Sequence, residues 1–166
     1  DFNDYDVFVH TWEDGNKDEN LIYDLWEPKE IIIEKQINFS DDPVELIHKS
    51  IFYSTSKVFK LIKSSDKKYD AIIRTRFDVC LDEPKLDISN FDMDSNMIYA
   101  PDVCNNPAVL SDFLMFGNSN NMKIFEDMFD NYEDYKSQGV NVFSGEEIIN
   151  KAMRDASINK GKTVHK

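Results

Sequence analysis

Short apolar runs alternate with longer amphipathic stretches along this chain. Tyr5-Asp6-Val7-Phe8-Val9-His10 is β-branched and aromatic, and the turn residues Glu13-Asp14-Gly15-Asn16 follow it, which predicts a strand. Ile31-Ile32-Ile33 predicts a second strand after Pro28. Ser40-Asp41-Asp42 offers N-cap residues ahead of Pro43, a residue suited to a first helical turn. From there Val44, Ile47, Ile51, Thr55, Val58, Phe59 and Ile62 recur at steps of three and four. That is one apolar stripe on a long helix over 43–63, closed by Ser64-Ser65-Asp66.

Tyr69-Asp70-Ala71-Ile72-Ile73-Arg74 is compact enough to predict a buried parallel strand. Met97-Ile98-Tyr99-Ala100 and Phe113-Leu114-Met115-Phe116 predict two more. The turn Gly117-Asn118-Ser119-Asn120-Asn121 leads into a helix whose apolar side includes Ile124, Phe125, Met128 and Phe129. Ser144-Gly145-Glu146-Glu147 has the form of a capping box and opens a helix through Ile148, Ile149 and Met153. Strands alternating with helices predict an α/β fold, a single domain over 1–166 with a mainly parallel sheet flanked by helices. Ligands of such sheets sit beyond the carboxyl ends of the strands, so the polar residues there matter most.

Composition narrows the partners. The 166 residues hold 32 Asp+Glu against 19 Lys+Arg, a formal charge of −13. That balance argues against a nucleic-acid binder, which needs clustered Lys and Arg to displace counterions. Hydrophobic content of 41% and aromatic content of 13% are too high for a disordered acidic tail. No apolar run approaches a membrane span. Two cysteines, Cys80 and Cys104, make no disulfide framework, and a reducing cytoplasm is the expected setting. The chain opens at Asp1 rather than Met and enters a strand almost at once, which points to a fragment of a longer protein.

Common signatures are absent: no glycine-rich dinucleotide or phosphate loop, no nucleophile elbow, and no zinc pattern among His10, His48 and His165. The sharpest feature is Arg74-Thr75-Arg76-Phe77-Asp78, directly after the apolar strand. Alternation puts Arg74, Arg76 and Asp78 on one side. Arginines suit bidentate contact with phosphate, and a carboxylate beside phosphates can hold a divalent cation. The same residues also suit a structural ion pair. His10-Thr11-Trp12 has two readings as well: a ring that stacks on a base with His10 or Thr11 bonding ribose or phosphate, or a buried Trp beside a hydrogen-bonded His. Asp112, in Ser111-Asp112, reads as a general base or sugar-orienting acid, or as a turn residue. Glu147 holds the capping-box position, which leaves Glu146 as the freer acid. Tyr53-Ser54-Thr55-Ser56-Lys57 lies mid-helix, and its hydroxyls face either a ligand or solvent.

Taken together, 6–12 (Asp-Val-Phe-Val-His-Thr-Trp), 23–29 (Tyr-Asp-Leu-Trp-Glu-Pro-Lys), 53–57, 74–78 and 111–117 (Ser-Asp-Phe-Leu-Met-Phe-Gly) resemble a group of microbial and viral glycosyltransferase-like proteins. These are similar to enzymes of lipopolysaccharide and capsular polysaccharide synthesis with a GT-A nucleotide-diphospho-sugar fold. The resemblance covers roughly 5 to 153. It implies transfer of a sugar from a nucleoside-diphosphate donor to a glycan or lipid-linked acceptor. His10, Thr11, Trp12, Arg74 and Arg76 would bind the nucleotide sugar, and Asp112 and Glu146 would be the catalytic acids. Asp78 would stand at the last acid of the family's Asp-x-Asp metal motif, with Asp82 as a helper. Arg76 occupies the first-acid position, so Mn²⁺ or Mg²⁺ is expected to bind weakly and only with the donor. The family's opening strand and Ser-Gly turn are lacking here, which implies an incomplete donor site. The alternative is therefore a catalytically silent α/β binding or interaction module that keeps the fold.

Overall fold

The computed structural model describes residues 4–13, 19–77, 87–101 and 113–163, and these form two compact units. The first takes its described residues from Asp1–Asp66 with Phe125–Asp130, and the second from Lys67–Ile124 with Asn131–Lys166. Each carries its own sheet.

In the first unit, β1 (Phe8–Trp12) and β2 (Glu30–Glu34) pair in parallel, with Phe8 opposite Glu30 and Trp12 opposite Glu34. Backbone bonds from Lys29 to Val7 and from Glu13 to Glu34 extend the ladder at both ends. The helix α1 (Glu19–Trp26) lies between the two strands in sequence, as a parallel crossover requires. The strand begins later than the apolar run and includes Thr11 and Trp12, while Tyr5 is exposed.

The long helix α2 (Pro43–Ser64) is where the sequence predicts it. Asp42 Oδ1 accepts from the amides of Val44 and Glu45, and Pro43 takes the first helical position. Its buried face follows the predicted stripe only in part, sharing Thr55 and Phe59 with it. Val44 is 43% and Ile47 57% exposed, whereas Glu45, Phe52, Thr55, Ser56 and Phe59 are buried. The polar members of that face are satisfied in place. Glu45 accepts from Ser40 Oγ at 2.9 Å and pairs with Lys49. Thr55 Oγ1 donates to Ile51 O, and Ser56 Oγ donates to Phe125 O. A stripe chosen by spacing and hydrophobicity passes over Glu45 and Ser56.

The second unit is built on the sheet β3-β5-β4-β6, from β3 (Ala71–Thr75), β4 (Met97–Pro101), β5 (Leu114–Asn118) and β6 (Asn159–Thr163). The pairings β3/β5 and β5/β4 are antiparallel, and β4/β6 is parallel. The sheet is therefore mixed rather than mainly parallel. Parallel neighbours need a long, usually helical crossover, and antiparallel ones do not. Between β4 and β6 the chain makes α3 (Ser119–Met122), α4 (Tyr132–Ser137) and α5 (Gly145–Asp155). Between β3 and β5 the described residues hold only a 3₁₀ turn, Ile88–Asn90, and β4.

β3 is also an edge strand, with Ile73 40% exposed, and not the buried strand that its apolar run predicts. The predicted turn over 117–121 is absent: Gly117 and Asn118 end β5, Ser119–Met122 form the short α3, and a 3₁₀ turn, Lys123–Phe125, follows in place of one continuous helix. The core of this unit includes Ile98, Met115, Phe116, Met122, Tyr132, Ile148, Ile149 and Met153. No described helix is long and apolar enough to cross a membrane.

Candidate functional site

In the first unit, strand alternation places His10 and Trp12 on one face of β1 and Thr11 on the other. His10 is diagonal to Glu34 on the neighbouring strand, and its Nε2 meets Glu34 Oε1 at 2.8 Å. The imidazole side chain is fully buried, while its Nδ1 has no partner. From α2, Tyr53 and Lys57 are one turn apart. Tyr53 stacks on Trp12 with ring centroids 5.5 Å apart and planes 16° from parallel. Trp12 and Tyr53 both stand edge-on to the His10 ring, at 4.9 and 5.7 Å. Phe39 and Phe129 close the aromatic cluster around Tyr53.

Lys57 Nζ lies 4.9 Å from the Tyr53 ring centre and 4.0 Å from Glu34 Oε1. Burial pushes His10 below its ordinary pKa against the opposing pull of Glu34. The bond from His10, then those of Tyr53 and the charge of Lys57, hold Glu34 below the usual carboxylate range. Lys57 is raised, chiefly by its bond with Tyr53. The arrangement is a neutral imidazole fixed to an ionised carboxylate, with a cation and an aromatic stack beside it.

In the second unit, Arg74 lies in β3 and Arg76 directly after its end, both half-buried, with Thr75 exposed between them. Arg74 is opposite Met115 on β5. The Arg76 guanidinium lies 5.0 Å from the centre of the Phe113 ring, a cation–π contact just beyond the end of the β3/β5 ladder. Asp78 and Asp112 lie outside the described residues, as do Asp82, Cys80 and Cys104.

Glu146 is engaged locally. Its Oε2 accepts from Ser144 Oγ at 2.9 Å, and Ser144 Oγ in turn caps the Glu147 amide. The acid that answers the cap residue is Glu146, and Glu147 is exposed. The capping box would instead have the Glu147 carboxylate accept from the Ser144 amide, but that amide donates to Asn141 O. Among the described residues, no three His, Cys, Asp or Glu side chains are grouped to hold a metal ion.

The structure thus groups His10 and Trp12 with Tyr53 and Lys57 in one unit, and Arg76 with Phe113 in the other. Glu34 was missed by sequence reasoning, although a lone acid closing an isoleucine strand was the available signal. Phe39 and Phe129 carried no signal beyond their hydrophobicity. The 53–57 segment faces neither solvent nor a ligand as a unit, because Thr55 and Ser56 are buried in bonds to the backbone. No protein family, curated protein or solved structure matches the chain.

Proposed function

We propose that this chain is a glycosyltransferase-like domain of the GT-A kind, serving transfer of a sugar from a nucleoside-diphosphate donor to a glycan or lipid-linked acceptor. The observation that carries the reading is the cluster in which the His-Thr-Trp and Tyr-Ser-Thr-Ser-Lys segments of the resemblance meet: Trp12 stacks on Tyr53, and His10 and Lys57 share Glu34. The contact of Arg76 with Phe113 brings two further segments together. A departing diphosphate gathers negative charge, and prepositioned cations stabilise it. Arg74 and Arg76 supply that charge in this reading. Asp112 and Glu146 are the acids for the sugar and acceptor side, and Mn²⁺ or Mg²⁺ binds through Asp78 only with the nucleotide.

The test is titration of the ¹⁵N-labelled chain with UDP-glucose, GDP-mannose and the free diphosphates. The amides of Ala71–Thr75 shift on binding, and Arg76→Ala weakens binding about 10-fold to 100-fold, the loss of one charge-assisted contact. No shift with any of these nucleotides overturns the reading. Calorimetry with Mn²⁺ checks the metal: heat appears only with nucleoside diphosphate present and disappears in Asp78→Asn.

The second reading, a silent binding or interaction module, has one specific observation in its favour. The Glu146 carboxylate is occupied by the cap of its own helix. Nucleotide-sugar binding without transfer or hydrolysis would select it.

A further inference from the structure

His10 has two ring nitrogens, and only Nε2 is satisfied. An unmet polar atom on a fully buried side chain costs about 1–3 kcal/mol, and folded proteins keep such atoms for a reason. An ionised carboxylate can only accept, so Glu34 requires the proton to sit on His10 Nε2. Nδ1 then presents a bare lone pair. A second proton there would have no acceptor, and Lys57, from the helix packed on this face, opposes the added charge.

A lone pair of this kind selects its ligand. A fully ionised phosphate carries no proton to offer it. A cation would meet the Lys57 ammonium, and no further His, Cys, Asp or Glu set among the described residues stands ready to complete a metal shell. A neutral hydroxyl donor fits. We propose that Glu34 is a positioning residue that holds His10 in its Nε2–H form, and that Nδ1 is the acceptor for a hydroxyl of a sugar ligand. Half-buried Trp12 stands edge-on to the imidazole. The sugar identity of the ligand rests on the proposed function, whereas the role of Glu34 does not.

Long-range ¹H–¹⁵N imidazole spectra of the full chain test this directly. The chain has three histidines, and His48→Asn and His165→Asn identify the His10 signals by elimination. The wild type shows a protonated Nε2 and a bare Nδ1, and this pattern persists below pH 6.5. Glu34→Gln gives a mixture of tautomers, and Glu34→Asp restores the single form in part. An Nδ1–H tautomer in the wild type overturns the assignment, and that result needs no substitution at His10 or Glu34.

Methyl glycosides of glucose, galactose and mannose, and UDP-glucose, are then added in excess, with inorganic pyrophosphate as the hydroxyl-free control. The Nδ1 resonance moves with at least one glycoside or with UDP-glucose and not with pyrophosphate. An Nδ1 unmoved by all of them overturns the ligand role. If UDP-glucose then still shifts the β3 amides, the proposed function stands and this inference alone falls. A glycoside response with no response to any nucleotide has the opposite meaning.

Discussion

His10 makes the fold sensitive to acid. Its pKa is lowered by burial, so below about 6.5 the unfolded chain takes up a proton that the folded chain refuses. Stability therefore falls as pH drops below about 6.5, and His10→Gln flattens that slope in thermal melts. Glu34 adds a second loss at lower pH. Its stabilising charge is complete above 4.5 and disappears as the carboxyl protonates in the fold. Gly161 is a different kind of constraint. A Cβ at this position would enter the Tyr99 ring, which is itself stacked on Phe116 at 5.3 Å. Gly161→Ala is expected to destabilise by about 1–3 kcal/mol in urea unfolding, because the ring has no room to withdraw.

At the scale of elements, α2 depends on a few side chains at its start and middle. Asp42 satisfies two amides of the first turn, so Asp42→Ala lowers stability by about 1 kcal/mol. Ser56 links the helix to the 125–130 segment by donating to Phe125 O and accepting from Phe129 N. Ser56→Ala leaves both backbone groups unmet in a buried site and is expected to cost about 1–3 kcal/mol. Denaturant midpoints of the two variants check the order. The exposed pair Lys60–Asp130 between the same elements contributes far less, since exposed ion pairs are screened by water.

At the scale of the whole molecule, a formal charge of −13 acts on every part of the chain. Like charges repel more in the compact state than in the expanded one, and salt relieves the repulsion. The thermal midpoint should rise by a few degrees between about 0.01 and about 0.15 M NaCl. A midpoint that falls with salt would show instead that ion pairs such as Lys49–Glu45 and Lys63–Glu126 outweigh the net repulsion.

Local chemistry was decisive for what could be read in one dimension. The start of α2 at Asp42-Pro43, the cap at Ser144, and the strands β2, β4 and the first part of β5 follow from residues next to one another. Pairing direction, edge position and helix-face choice are different, because they depend on segments distant in sequence. β3 looked buried but became an edge strand, since β5 covers one side of it alone. β6, with the sequence Asn-Lys-Gly-Lys-Thr, carries no apolar signal and exists through its ladder with β4. The buried face of α2 was decided by partners for Glu45 and Ser56 that only the folded chain supplies. Glu34 became part of the site for the same reason: parallel register set it diagonal to His10, and no spacing rule connects residues on different strands.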